Sequence, residues 1–163
     1  MKLDLPPEER VRHALIALGL PAELMTFDAS THTAQDAADA VGCKLGQIVK
    51  TLFFLADDRP TMALVAGDQQ VDTALLAQLL GVGRKKLRMG SPERVLEITG
   101  YPVGGVSPVG SLNRCDVVVD NSLQRFDQIW AAAGNSNTVF PAATEALVAA
   151  VDGQWAAITK ESA

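Results

Sequence analysis

The residue most out of keeping with its surroundings is Lys50, set in the run Ile48-Val49-Lys50-Thr51-Leu52-Phe53-Phe54-Leu55. Eight such residues read as a strand apolar on both faces, hence a central one. On a strand, Lys50 shares its face with Ile48, Leu52 and Phe54. An ammonium in that company is costly unless it is paired or borders a cleft. Three roles fit the residue type. Its stem can pack on the sheet while its head reaches water. It can be a Schiff-base or general-base lysine of depressed pKa. Or it can be a fixed cation at a pocket mouth, steadying a phosphate or a carbonyl oxygen.

The second feature is Gly100-Tyr101-Pro102-Val103-Gly104-Gly105-Val106-Ser107-Pro108-Val109-Gly110, six of whose eleven residues are Gly or Pro, so the segment is bent yet stiff. Bare amides at Gly104 and Gly105 suit an anion or a developing oxyanion. An ordinary crossover turn would have the same composition. The sequence holds no GxSxG, Walker loop, HExxH or GxGxxG motif, and Ser107 has no sequence-identifiable histidine partner. Two histidines, His13 and His32, leave no zinc set, and Cys43 and Cys115 match no CxxC spacing. Any catalysis then rests on positioning, backbone donors and water, with no metal or cofactor expected.

The elements that must position these groups follow from the pattern. Pro6-Pro7-Glu8-Glu9 opens a helix carried by Val11, Ala14, Leu15 and Leu18, with His13 off its apolar face. Thr33 to Asp36 reads as a capping box for a small-residue helix ending at Gly42. After the central strand, Asp57 to Pro60 forms a turn and Thr61 to Ala66 a second strand. A helix runs from near Asp72 to Gly81, then Arg84 to Met89 reads as a short basic strand. Ser91-Pro92-Glu93 opens a helix closing at Gly100. Strands are expected over 115–120 and 126–133, a helix over 145–151 capped by Thr144, and a last strand over 155–158. Strands and helices do not alternate strictly, which implies an α+β domain with a mixed, largely antiparallel sheet surrounded by helices.

At 163 residues the chain is expected to be one domain, and 48% hydrophobic with 20% charged residues is the balance of a soluble globular protein. The N-terminus lacks an apolar signal core and no run reaches the ~20 residues of a membrane span, so a cytoplasmic protein with no membrane partner is expected. A net charge of −5 argues against coating by DNA or RNA through bulk charge. A local patch remains: Arg84, Lys85, Lys86 and Arg88 either contact phosphates or guard a solvated edge strand.

Ile48-Val49-Lys50-Thr51-Leu52, Thr99-Gly100-Tyr101 with Gly104 to Gly110, and the Gly134 to Pro141 segment together resemble the YbaK/EbsC family. Its members are free-standing relatives of the editing domain inserted in bacterial prolyl-tRNA synthetase. The resemblance runs from about Phe27 to Ile158. It implies a barrel-like sheet and hydrolysis of the ester joining a mischarged amino acid to the terminal adenosine of a tRNA, most often tRNA(Pro). By position, Lys50 matches the family's essential lysine, and Gly104 and Pro108 its GxxxP motif, whose backbone holds the carbonyl oxygen. Phe27 and Thr33 fall near the amino-acid pocket, with Gly105, Ser107 and Asn135 as further substrate contacts and Thr51 in a supporting role. The implied partners are a mischarged tRNA acceptor end, which the basic cluster would hold, and prolyl-tRNA synthetase. Ala146 stands where cysteine-removing members carry an acid, so a branch clearing Ala, Ser, Thr or a similar small residue is at least as well supported. A non-catalytic module that binds an aminoacyl end, and a Schiff-base carbonyl enzyme, are the alternatives.

Overall fold

The computed structural model describes residues 5–28 and 33–160; His32 and residues 1–4 lie outside them. The chain forms α1 (Pro7–Ala17), β1 (Met25–Thr26), α2 (Ala34–Val41), β2 (Val49–Ala56), β3 (Arg59–Ala66), α3 (Thr73–Leu80), β4 (Leu87–Met89), α4 (Pro92–Thr99), β5 (Asp116–Asp120), β6 (Gln128–Ala132), β7 (Thr138–Ala143), α5 (Thr144–Ala150) and β8 (Gln154–Ala156). Short 3₁₀ turns occupy Leu45–Gln47, Arg84–Lys86 and Asn121–Arg125. One sheet has the order β4-β2-β3-β5-β8 and the other β1-β7-β6. A single parallel bridge, Ile48 to Trp130, links them without closing a barrel. β3–β5 and β5–β8 are parallel and the other strand pairs antiparallel, giving the expected mixed α+β architecture. Among the described residues no helix is long and apolar enough to cross a membrane.

Apart from Lys50 and Thr51, β2 is apolar because both its faces are covered. Val49, Phe53 and Leu55 enter the main core with Val11 and Leu15 of α1, Val95 and Ile98 of α4, and Phe140 of β7. Phe54, flanked by Leu52, enters a second cluster with Leu76 of α3, Val118 and Ile158. A third, smaller cluster seats Ala37 and Ala38 of α2 on Ile48, with Trp130 at its edge.

Several boundaries differ from the pattern for identifiable reasons. β3 begins at Arg59 because Asp57 and Asp58, at φ 49° and 67°, form a two-residue hairpin loop with both central residues left-handed. Arg84 to Lys86 leave the expected basic strand as a 3₁₀ turn, closed by the Lys86 amide on the Gly83 carbonyl at 2.8 Å. β6 starts only at Gln128, since the Asp120 carboxylate accepts from the Ser122 amide at 3.0 Å and winds 121–125 into a 3₁₀ turn. Thr144 does not cap α5: its hydroxyl donates to the Phe126 carbonyl at 2.6 Å, and Ala143 is the N-cap residue.

The glycine-proline segment is clamped at both ends. Tyr101 is fully buried, and its hydroxyl donates to the Val109 carbonyl at 2.7 Å. Burial pushes its pKa up to about 12, so the phenol stays a donor. Arg10 of α1 lies 4.7 Å from the Tyr101 ring centre and donates to the Gly100 carbonyl at 2.7 Å. A Tyr101→Phe substitution is expected to leave the Val109 carbonyl unpaired in the core and to lower unfolding stability by about 1–3 kcal/mol in urea denaturation. Unchanged stability would remove this clamp from the account.

Candidate active site

β4 pairs with β2 only at Phe54, Leu55 and Ala56, and the link to β6 is at Ile48. Between those points, among the described residues, no strand covers residues 49–52 on that side. A cleft of about 440 Å³ opens along this edge. Its walls are Ala34 and Ala37 of α2, β2 from Ile48 to Leu52, Trp130 to Ala132 of β6, and Thr138 and Val139 of β7, with Val103, Gly104 and Val106 opposite. Because the cleft follows a strand edge, it is lined by both Lys50 and Thr51, although successive strand residues point to opposite faces.

Lys50 is half-buried, and its ammonium donates to the Gln69 carbonyl in the turn after β3. Burial holds its pKa below the ordinary lysine value, and the nearby Asp68 carboxylate partly offsets this. Asp68 is itself held by Arg125 in a two-point ion pair, Nη1 to Oδ2 at 3.0 Å and Nη2 to Oδ1 at 2.7 Å. That pair keeps the Asp68 carboxyl below the usual carboxylate range. Thr51 presents a buried Oγ1 with no partner among the described residues.

The two glycines of the loop have different tasks. Gly104 is exposed at φ 95°, with no atom within 4 Å of where a Cβ would stand, and it lines the cleft. Among the described residues its amide has no acceptor. Gly105 is buried; its amide donates to the Pro102 carbonyl at 2.9 Å and its carbonyl accepts from the Gly134 amide at 3.0 Å. A Cβ on Gly105 would lie 2.6 Å from the backbone of Asn135, so the residue is small to let two loops touch. The Gly105 amide is therefore spent within the loop, and of the two glycines only Gly104 lines the cleft.

Other expected site residues divide similarly. Thr33 and Asn135 line the cleft. The Thr33 hydroxyl also accepts from the Asp36 amide, completing the capping box of α2. The Asn135 side chain accepts from the Asn137 amide at 3.0 Å, which shapes the loop before β7. Phe27 is outside the cleft lining, its backbone paired with Asn137. Ser107 is buried and accepts from the Val109 amide, a turn-forming bond. Pro108 is buried on the far side of the loop, against a different hollow bordered by Met62 and Cys115. Arg84, Lys85, Lys86 and Arg88 are exposed at the other end of β2, where Arg88 stands opposite Leu55 and pairs with Asp58 at 3.4 Å. Five residues along a strand separate that point from Lys50 by roughly 17 Å. Trp130, Asp68, Gln69 and Arg125 carried no signal in the sequence, because each reaches the site from a distant segment. Among the described residues no group of three His, Cys, Asp or Glu side chains could hold a metal ion.

Residues 28–150 match the aminoacyl-tRNA editing domain family. The chain belongs to that family. It is 30% identical over 128 residues to EbsC of Enterococcus faecalis, a candidate Cys-tRNA(Pro)/Cys-tRNA(Cys) deacylase, covering 78% of this chain and 77% of EbsC. It is 36% identical over 117 residues to YwhH of Bacillus subtilis, covering 71% of this chain and 73% of YwhH. A 104-residue match, also 36% identical, covers 64% of this chain but only 18% of the proline–tRNA ligase of Nitratidesulfovibrio vulgaris, so the likeness is to a small part of that enzyme. Among solved structures, a candidate trans-editing enzyme for prolyl tRNA synthetase superposes with a TM-score of 0.90 at 35% identity, covering 96% of this chain and 99% of that one.

The burial of Lys50 has a measurable consequence for stability. Its folded pKa lies below the unfolded value, so between the two the unfolded chain binds more protons and wild-type stability rises with pH. Below the folded value the whole burial penalty is present. The stability of Lys50→Met minus that of wild type is therefore expected to shrink as pH rises toward the ordinary lysine value of 10.5, measured by urea denaturation. A gap that widens would contradict a desolvated ammonium.

Proposed function

We propose that this chain is a trans-editing aminoacyl-tRNA deacylase. It hydrolyses the ester of a small mischarged amino acid on tRNA, with tRNA(Pro) the substrate suggested by its relatives. The observation that carries the reading is that Lys50 and the unshielded Gly104 line one cleft although 54 positions separate them in the chain.

An aminoacyl ester is already activated, so the protein has only to place it, admit water and stabilise the negative oxygen that develops. In this reading the Gly104 amide donates to that oxygen. Lys50 holds the ester or the adjoining phosphate by charge. Water attacks the carbonyl carbon; the bond to the ribose oxygen then breaks, and that oxygen leaves as a hydroxyl after taking a proton. The products are the free amino acid and the intact tRNA end. Trp130, Ile48 and the two alanines of α2 bound the amino-acid side of the cleft, which favours a small side chain. Thr33, Asn135 and Thr138 supply polar groups on the same lining. Where walls are apolar, a methyl or hydroxyl difference is worth only about 1–3 kcal/mol, so neighbouring small residues are separated by modest factors.

The test is a deacylation panel with tRNA(Pro) carrying Ala, Cys, Ser or Thr. Wild-type protein is expected to release at least one of them, and Lys50→Ala to slow that release at least about 100-fold. Binding without turnover would make the chain a recognition module instead, and full activity in Lys50→Ala would end the hydrolase reading.

The basic cluster at the end of β2 stands at a distance suited to acceptor-stem phosphates. A Lys85→Glu/Lys86→Glu variant is expected to weaken tRNA binding and to reduce the slope of log affinity against log salt by roughly 2. Single-turnover hydrolysis at saturating tRNA should be unaffected. Wild-type affinity and slope would reduce the cluster to a solvated edge.

A further inference from the structure

The Lys50 ammonium is bound by a neutral carbonyl, that of Gln69, while a carboxylate sits on the adjoining residue. Asp68 is close enough to influence Lys50 through its charge, yet among the described residues it forms its ion pair with Arg125. The turn carrying both groups is held independently of that pair. The Gln69 amide donates to the Ala66 carbonyl at 2.9 Å, and Gly67 packs so closely on the Leu45 carbonyl that a Cβ would collide with it. Arg125 is equally well placed. Its Nε donates to the Ser122 carbonyl at 2.7 Å, and its guanidinium lies 4.9 Å from the centre of the Phe126 ring. A guanidinium fixed at these two points grips a carboxylate with both oxygens, which a flexible lysine cannot match.

This pair is two-fifths exposed on the arginine side and one-third on the aspartate side, so it contributes little to folding. Its effect on Lys50 is larger. A free Asp68 carboxylate, one residue from the carbonyl that Lys50 already reaches, would outcompete that carbonyl for the ammonium. The lysine would then be drawn toward the turn and its charge neutralised at the mouth of the cleft.

We propose that Arg125 is a positioning residue for Lys50: by sequestering the Asp68 carboxylate, it keeps the ammonium on the neutral Gln69 carbonyl, free of a carboxylate partner, on a residue that lines the cleft. This rests on the role given to Lys50 above. It also explains why an acid stands so near a group that must stay available. The carboxylate supports the charge through space, against the effect of burial, without taking the site where substrate binds.

The experiment compares Arg125→Ala, Asp68→Asn/Arg125→Ala and wild type, each first checked for folding by thermal unfolding. With the tRNA substrate found in the deacylation panel, Arg125→Ala should lower kcat by about 10- to 100-fold with KM little changed. The double variant, which lacks the freed carboxylate, should recover to within about 3-fold of wild type by the same argument. Equal losses in both variants would overturn the proposal, as would wild-type kcat in Arg125→Ala. A rise in KM alone would make Arg125 a contact for the nucleic acid and equally overturn it. A second readout needs no activity: in protein carrying ¹³C-labelled lysine, the titration midpoint of the Lys50 Cε resonance should rise in Arg125→Ala and fall back in the double variant. An unmoved midpoint would refute capture by Asp68 even if the hydrolase reading survives. If Lys50→Ala proves fully active, the proposed function fails, and this resonance alone still decides whether Arg125 guards Lys50.

Discussion

A strand edge left open in the middle of a sheet is the constraint from which the rest follows. β2 is largely apolar and covered on both faces, yet among the described residues one side of 49–52 has no neighbouring strand. Uncovered strand edges invite pairing with other chains and are usually blunted by charge. Here the blunting charge is Lys50, and the space kept open is the cleft. The same residue therefore answers a folding hazard and supplies the cation of the candidate site. β4 is short, and β6 touches β2 only through the Ile48–Trp130 bridge; a longer β4 or a closed barrel would pair this edge and fill the cleft.

Opposite that edge, the glycine-proline loop has to be rigid without being covered. Rigidity comes from behind it: the buried Tyr101 hydroxyl on Val109, the Arg10 guanidinium on Gly100, the Ser107 hydroxyl on the Val109 amide, and the Gly105–Gly134 contact. Each of these uses a polar group facing away from the cleft. What remains toward the cleft is Gly104, whose positive φ and missing side chain leave its backbone accessible. Donors whose orientation is fixed before substrate arrives need no reorganisation when charge develops, which is what makes a bare amide useful in ester hydrolysis.

Much of this was legible from residue type alone, wherever type and surroundings conflict. A lysine in an apolar strand and a Gly-Gly step between prolines are both anomalies, and Lys50 and the first glycine of the step, Gly104, line the cleft. Helix ends were equally legible, because Thr33, Asp72, Ser91, Gly42, Gly81 and Gly100 carry their capping role in their chemistry. The failures have a common cause. Gly105, Ser107 and Pro108 have the composition of a substrate loop, but composition does not say which side of a loop faces a cleft and which faces a neighbouring segment. Arg10 drew no expectation from the sequence, yet it is buried against Tyr101, 91 positions away. Arg125 and Asp68 are 57 positions apart, and no local pattern pairs them.

The charge distribution bears on how an acidic protein could handle a polyanion. At physiological ionic strength the screening length is about 8 Å, so a net charge of −5 acts as separate patches and not as one repelling field. The Arg84–Arg88 cluster, roughly 17 Å from Lys50 along β2, lies about two screening lengths away and forms an electrically independent site. Lys50 has a different neighbourhood, where a partly buried ammonium and a carboxylate held by Arg125 interact at short range in a medium that screens them less. In the proposed reaction the two cationic regions can therefore be tuned separately. The outer cluster would set how long the nucleic acid stays, and the inner ammonium how the ester is held. Because the inner charge is balanced by protein groups and not by salt, changing ionic strength should alter binding far more than it alters the chemical step.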